Sequence, residues 1–231
     1  MCRVPQTLLD AELVAIAERL VEHNLPLVGA ELVLVMFATP GEASGSPSLS
    51  LSTVPFSAEP YRDLLHKGAN LITPSVRPVP ADCVPPGAKI RSRMAWWIAE
   101  QEVRAADPDA HALLVDRDGL VTETCAANIA VVRRGTVLTP ARSTVLDGVS
   151  LRVVEELCGE LGVPFAESPL RLEDCYTADE AFLTSTPYGI AGVALVNGNA
   201  VSFPGPLLAR LHDAWSRVVG QDIWGEIGPD R

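Results

Sequence analysis

Prolines are concentrated in one stretch, which separates a short amino-terminal part of the chain from a longer carboxy-terminal part. Five prolines lie between His66 and Gly87, at positions 74, 78, 80, 85 and 86. Because proline lacks a backbone N–H and restricts the residue before it, this stretch cannot form a helix and suits a central strand poorly. The sequence therefore predicts an extended connection over 66–88, between a small amino-terminal domain over 1–65 and a larger domain over 89–231.

Short strands and tight turns predominate after this connection. Asp118-Gly119 and Arg134-Gly135 are turn pairs that join short runs rich in β-branched residues. Strands are predicted at 31–38, 48–54, 110–116, 120–124, 128–133, 136–139, 180–184, 190–196 and 200–203. The first is almost wholly apolar, which predicts burial on both faces. Apolar periodicity predicts helices at 7–24, 94–106, 149–161 and 206–219. Because no βα unit repeats, these elements predict the α+β class.

Composition limits the possible partners and compartments. The 231 residues carry a net charge of −11, which disfavours binding to nucleic acid or to anionic lipid. No apolar run is long enough for a signal peptide or a membrane span. The five cysteines are widely spaced, without a C-x-x-C pair, and the histidines are isolated, so we expect no metal site and a reduced, cytoplasmic location.

Lysine chemistry is restricted to two positions, Lys67 and Lys89. Lys89 follows the connection and precedes the predicted helix at 94–106. A lysine at the start of an element, facing a cleft between two domains, could be desolvated and act as a Schiff-base nucleophile. The alternative is an exposed lysine after a loop, and position alone favours that alternative.

Three further segments offer chemistry, each with a plainer alternative. Glu123 ends a predicted strand among small residues, where it is either a site carboxylate or a solvated strand end. Val149 and Ser150 begin a predicted helix after a glycine, a setting that accepts phosphate but is also an ordinary helix start. The run 184–186 places three hydroxyl groups at a strand end, which form either a second phosphate clamp or a turn.

Taken in order, these segments resemble a known family. The matching stretches are KIRSRM (89–94), ALLVDRDGLVTETCAAN (112–128), GTVLTP (135–140), LDGVS (146–150) and ADEAFLTST (178–186). They resemble the fold-type IV pyridoxal-phosphate-dependent enzymes: the class IV aminotransferases, which include branched-chain and D-amino-acid aminotransferases, and the aminodeoxychorismate lyases. The resemblance extends over nearly the whole chain.

The resemblance implies a cofactor, pyridoxal 5′-phosphate, and a role for each candidate. Lys89 would form an aldimine with the cofactor and move a proton between the substrate's Cα and the cofactor. Glu123 would face the ring nitrogen. The backbone at Val149 and Ser150, together with Ser185 and Thr186, would hold the phosphate. Asn128 would fix the turn around Glu123. The resemblance also implies a two-domain fold, a partial amino-terminal domain and a homodimer that acts on a small-molecule amino acid and a 2-oxo acid.

Two departures from the family leave three functions open. Branched-chain aminotransferases have an Asn-Tyr pair after their lysine, whereas this chain has Ser92, Arg93 and Met94, a pattern nearer to the lyases. The family's opening strands and its phosphate-binding arginine, in an H-x-x-R-L-like segment, have no counterpart before the helix at 7–24. The expected function is amino-group transfer, with a branched-chain amino acid as one candidate substrate. The alternatives are a lyase that releases pyruvate and a non-catalytic family member.

Overall fold

The chain folds into two compact units in a computed structural model. The structure describes residues 10–29, 31–41, 47–222 and 224–225. One unit is Met1–Ser57 and the other is Ala58–Arg231. The three-part division of the chain at 66–88 stays a prediction.

The described part of the first unit contains a helix and two antiparallel strands. It contains α1 (Asp10–Val28), β1 (Leu32–Thr39) and β2 (Ser48–Pro55), and the two strands pair antiparallel along their whole length. Of the helix predicted at 7–24, residues 7–9 lie outside the described residues. The helix continues four residues beyond the predicted end, to Val28. It ends at Gly29, whose positive φ closes the last turn with a hydrogen bond to the Leu25 carbonyl.

The prediction that β1 is buried on both faces is wrong. None of its residues is buried, and Met36 is 59% exposed. A strand is buried on both faces only when a layer packs on each side. Within the described part of this unit, β1 pairs only with β2 in a two-stranded sheet.

The second unit contains the remaining helices and strands. Its helices are α2 (Glu59–Lys67), α3 (Met94–Ala106), α4 (Val149–Glu160), α5 (Leu172–Tyr176) and α6 (Pro206–Val219). Its strands are β3 (Ala69–Ile72), β4 (His111–Val115), β5 (Val121–Thr124), β6 (Asn128–Arg133), β7 (Thr136–Thr139), β8 (Phe165–Glu167), β9 (Glu180–Ser185), β10 (Gly189–Val196) and β11 (Asn199–Ala200). Helices and strands are mixed without a repeated βα unit, which confirms the α+β class.

Six strands of the second unit pair with one another in a closed ring. Strand β3 pairs parallel with both β10 and β4, and the chain of neighbours then runs through β5 and β6. Strand β9 pairs antiparallel with both β6 and β10, which completes a ring of six strands. One apolar cluster, which includes Leu71, Leu113 and Ile129, fills one side of these strands. A second cluster, centred on Phe182 and Leu211, packs α4 and α6 against the other side.

Differences from the predicted elements follow from local sequence. The helices at 94–106 and 206–219 and the strands at 128–133 and 136–139 are confirmed at both ends. Within the stretch expected to be an extended connection, Ala69–Ile72 forms β3, because these four residues precede the first proline and keep their N–H groups. The strand predicted at 200–203 stops at Ala200, and Phe203 packs so closely on Gly192 that an added Cβ there would lie 2.5 Å from its ring.

Within the described residues, no helix has both the length and the apolar composition needed to cross a membrane. In the same part of the chain, no group of three or more His, Cys, Asp or Glu side chains could hold a metal ion.

Candidate active site

One cavity of the second unit brings the predicted site residues together. It has a volume of about 240 Å³, and its walls come from the loop before α3, the ends of β5 and β9, and the start of α4. All six candidates line it: Lys89, Glu123, Val149, Ser150, Ser185 and Thr186. Their individual roles stay predictions.

The two lysines have different surroundings. Lys89 lines the cavity from the loop that precedes α3. Lys67 lies near the end of α2, where its Nζ donates to Asp63 Oδ2 at 2.9 Å on an exposed helix face. Lys89 is therefore the lysine available for chemistry in this cavity.

Backbone and side-chain donors hold the carboxylate of Glu123 in place. Its Oε2 accepts a hydrogen bond from the Leu146 N–H at 3.1 Å and a longer one from Asn128 Nδ2 at 3.3 Å. Asn128 Nδ2 also donates to the Leu146 carbonyl at 2.7 Å, which fixes the amide. Gly148 leaves the space for this amide, because a Cβ there would lie 2.2 Å from Asn128 Oδ1. Asn128 thus contacts both Glu123 and Leu146, and its role in fixing the turn around Glu123 stays a prediction.

The charge of Glu123 depends on opposing effects. Burial raises the pKa of its carboxyl group, because desolvation disfavours the charged form. The Leu146 N–H and the positive charges of Arg93 and Lys89 act in the opposite direction. A positively charged ligand group placed against Glu123 would further favour the carboxylate.

The first turn of α4 presents free backbone donors to the cavity. Gly148, the N-cap residue, has no side chain to cap the helix, so no side-chain cap bond is made to the N–H groups of the first turn. The helix dipole and the buried hydroxyl of Ser150 favour an anion there. The neighbouring acid, Asp147, pairs with Arg152, whose Nε donates to Asp147 Oδ1 at 3.1 Å, and with Arg142 at 3.4 Å. These pairs offset the negative charge next to the helix start.

Three hydroxyl groups at the end of β9 reach the same cavity. Ser185 Oγ donates to the Ala126 carbonyl at 2.8 Å, and Thr186 is exposed. Thr184 is only 1% exposed, and its Oγ1 is buried without a hydrogen-bond partner among the described residues. Since buried hydroxyl groups are almost always paired, Thr184 is a polar group that a ligand could satisfy.

Sequence reasoning missed the role of several cavity residues. Arg93 lies over the Trp96 ring, 5.0 Å from its centroid, and its Nη2 donates to the Cys125 carbonyl. Burial raises the pKa of the Cys125 thiol, so this thiol stays protonated and is a poor nucleophile. Arg93 could have been found in the sequence as a basic residue four positions after Lys89. Thr184 could have been found as the first hydroxyl-bearing residue of the run 184–186.

Comparisons with known proteins identify relatives of this chain. A protein of Methanocaldococcus jannaschii that carries a branched-chain-amino-acid aminotransferase name is 35% identical over 136 residues, 58% of this chain and 47% of that protein. The D-alanine aminotransferase of Bacillus licheniformis is 31% identical over 114 residues, 48% of this chain and 40% of that enzyme. The chain thus spans about half the length of these curated relatives.

The fold also matches a solved structure. The branched-chain amino acid aminotransferase of Escherichia coli superposes with a TM-score of 0.82, covering 99% of this chain and 76% of that one. At 22% identity this likeness concerns the fold alone. The family model described as amino-transferase class IV matches residues 2–196, most of the chain. The chain therefore belongs to the class IV aminotransferase family.

Proposed function

We propose that this protein is a pyridoxal-phosphate-dependent aminotransferase that passes an amino group between an amino acid and a 2-oxo acid. One observation carries the proposal: an amine, a carboxylate and a helix N-terminus line a single cavity, at Lys89, Glu123 and the start of α4. The class IV aminotransferases depend on pyridoxal 5′-phosphate. This cofactor carries an aldehyde, a ring nitrogen and a phosphate, and each of these groups would have one partner in the cavity.

The chemistry of the cavity fits this cofactor. Its aldehyde requires a lysine, its ring nitrogen a carboxylate and its phosphate a set of N–H and hydroxyl donors. Lys89, Glu123 and the first turn of α4 with Ser150, Ser185 and Thr186 supply these groups. The unpartnered hydroxyl of Thr184 is a further polar group that a polar ligand in this cavity would satisfy.

Each residue has a distinct task in this proposal. The cofactor supplies an electron-withdrawing ring that stabilises negative charge at the substrate's Cα. Lys89 would hold the cofactor through its amine, and its Nζ would move the Cα proton. Glu123 would hold the ring nitrogen and favour its protonated form. The first turn of α4 would hold the phosphate.

The names of the relatives suggest which amino acid serves as the substrate. Relatives are named for branched-chain amino acids and for D-alanine, so a short aliphatic side chain is the feature these names share. We infer a small aliphatic amino acid, with branched-chain amino acids as the first to test.

Cofactor uptake tests the proposal directly. The purified protein, mixed with pyridoxal 5′-phosphate, is expected to develop the absorbance band of lysine-bound cofactor. Lys89→Ala is expected to abolish the band, whereas Lys67→Ala, which removes the lysine on α2, should leave it unchanged. A protein without the band at saturating cofactor would contradict the proposal and favour a non-catalytic family member.

Product analysis separates transfer from elimination. An amino acid should convert the bound cofactor to its amine form, and a 2-oxo acid should restore the original absorbance. Release of pyruvate from an aminated chorismate derivative, without a 2-oxo acid acceptor, would instead identify a lyase.

We also infer a homodimer in the cytoplasm. The exposed apolar side chains of α3 support a subunit contact, since Met94 and Trp97 are 66% and 60% exposed. The free thiols of Cys125, Cys158 and Cys175 are compatible with a reducing compartment. Light scattering after gel filtration should give twice the mass of one chain, and a monomer at micromolar concentration would contradict the inference.

A further inference from the structure

Arg93 is a fixed positive charge on the wall of the cavity that the proposed cofactor contacts leave unused. It lies at the N-cap position of α3, four residues after Lys89, and its side chain lines the cavity. Its guanidinium group lies over Trp96 and donates one hydrogen bond to the Cys125 carbonyl. Two contacts from different directions therefore hold the group in one orientation.

Among the described residues Arg93 forms no ion pair, although its positive charge acts to lower the pKa of Glu123. The ion pairs of the structure engage other arginines: Arg62, Arg104, Arg133, Arg142 and Arg152. For Arg93 the structure has a carbonyl contact and a ring contact instead. A guanidinium group has five N–H donors, so most of its donors remain available to a ligand.

The fixed orientation of Arg93 favours binding of a planar anion. A guanidinium group matches a carboxylate with two parallel hydrogen bonds. Stacking on an aromatic ring, with a centroid within about 6 Å, restrains the long side chain before a ligand arrives. Less conformational entropy is then lost when the anion binds.

The position of Arg93 identifies which anion it meets. The cofactor phosphate already has the first turn of α4 and the hydroxyl groups of Ser150, Ser185 and Thr186. Arg93 instead lies four residues after Lys89 in the sequence. It also contacts Cys125, which follows Glu123 by two residues. In an amino acid the carboxylate is bonded to the same carbon as the amine. A substrate whose amine took the place of the Lys89 amine on the cofactor aldehyde would bring its carboxylate within reach of this part of the wall.

We propose that Arg93 binds the carboxylate of the substrate and makes the site select amino acids and 2-oxo acids over amines that lack a carboxylate. The proposal rests on the function proposed above and deepens it. Arg93 acts by binding and orientation and takes no part in proton transfer.

The test measures binding of a carboxylic acid to the cofactor-loaded protein by calorimetry. The probe is 4-methylpentanoate, a branched acid without an amine, and its neutral counterpart is 4-methylpentanamide. Arg93→Met is expected to weaken binding of the acid about tenfold to a hundredfold, the cost of losing a charged hydrogen-bond partner, and to leave binding of the amide unchanged. Arg93→Lys, which keeps the charge without the planar fork, should fall between the two.

Arg91→Met is the matched control. Arg91 is exposed, lies two residues away and does not line the cavity, so its loss removes the same charge without removing the contact. We expect binding of the acid to change less than twofold in this variant. Equal weakening by both substitutions would overturn the proposal, because it would show a long-range effect of charge. Loss of cofactor affinity in Arg93→Met with unchanged binding of the acid would also overturn it, because Arg93 would then contact the cofactor.

Steady-state kinetics give a second readout. Arg93→Met should raise KM for the amino acid about tenfold or more with a smaller change in kcat, and should lower kcat/KM for a simple primary amine much less than for the amino acid. Failure of the proposed function is distinguishable, since it appears as absence of cofactor absorbance in the wild-type protein. Failure of the Arg93 proposal appears as wild-type binding of the acid by the variant that still carries cofactor.

Discussion

Glu123 illustrates how single residues set the chemistry of the cavity. Its carboxylate is partly buried, which on its own would favour the neutral form, and nearby donors and positive charges oppose that tendency. A carboxylate balanced in this way responds strongly to a cation placed against it. In the proposed site, this carboxylate would pair with a protonated ring nitrogen.

Glu123→Gln tests this role. Glutamine has nearly the same shape but no charge, so it cannot stabilise a proton on the ring nitrogen. We expect kcat to fall on the order of a hundredfold, as when one electrostatic contact to a reacting group is removed. Cofactor absorbance checks that the variant remains loaded, and Glu123→Asp provides a charged control. Wild-type kcat in loaded Glu123→Gln would contradict the assignment.

The ordered motifs led to six candidate residues, which the structure brings to one cavity, and their roles stay predictions. Other features of the cavity are visible only in the structure. Lys89 and Glu123 belong to short runs whose order along the chain is informative. The burial of Thr184, the contact of Arg93 with Cys125 and the fit of Asn128 against Gly148 depend on pairing between distant segments. No local pattern encodes such contacts, because they form only after the strands associate.

At the scale of elements, the helices α4 and α6 show two uses of a helix N-terminus. The first turn of α4 faces the cavity without a side-chain cap. The first turn of α6 is satisfied internally, because the buried Glu180 accepts hydrogen bonds from the N–H groups of Leu207 and Leu208 at 2.8 and 2.9 Å. The first helix start can therefore bind a ligand, whereas the second stabilises the fold.

Gly148→Ala tests whether the start of α4 controls the position of Glu123. The added Cβ would meet Asn128 Oδ1, so the amide must move and Glu123 loses one of its contacts. We expect a loss of about 1–3 kcal/mol in the free energy of unfolding and weaker cofactor binding.

Gly159→Ala is the matched control within the same helix, because no atom lies within 4 Å of the added Cβ. Alanine there should stabilise the protein by about 0.5–1 kcal/mol. Urea denaturation measures both variants, and similar effects at the two positions would contradict the proposed contact.

Glu180→Ala tests the internal cap of α6. Glu180 is 5% exposed, and its removal leaves two buried N–H groups without acceptors. We expect the free energy of unfolding to fall by about 2–4 kcal/mol, measured by urea denaturation. Glu180→Gln keeps one oxygen acceptor and should lose less. Equal losses in the two variants would show that the hydrogen bonds contribute little.

The elements also show where periodicity succeeds and where it fails. It predicted α3 and α6 at both ends, because each helix has a continuous apolar stripe. It failed for the burial of β1, since an apolar strand gives no information on whether layers cover it. The short β3 went unrecognised within the proline-rich stretch, because its strand character depends on two partners far away in sequence.

At the scale of the whole molecule, His212 couples folding to pH. It is 6% exposed in α6, and burial lowers its pKa to about 3, partly opposed by Asp222. In the unfolded chain its pKa is near 6.5, so the unfolded state binds the proton more readily below that pH. Its contribution to stability is therefore present above pH 6.5 and is lost as the pH falls from 6.5 towards 3.

Thermal unfolding between about pH 5 and pH 8 tests this coupling. The free energy of unfolding should fall by up to about 1.4 kcal/mol per pH unit below pH 6.5. His212→Leu, which keeps an apolar side chain in the cluster, should reduce that slope. An unchanged slope in this variant would assign the pH dependence to other groups.

The closed ring of strands also sets the order in which the molecule opens. Strand β9 is paired on both sides, with β6 and with β10, so its amide groups cannot be freed by fraying at an edge. We expect these amides to exchange with solvent among the slowest in the protein. Ser185 ends this strand, and Thr186 follows it. The hydroxyl groups proposed to hold the phosphate thus lie at the end of a strand that we expect to be among the last to open.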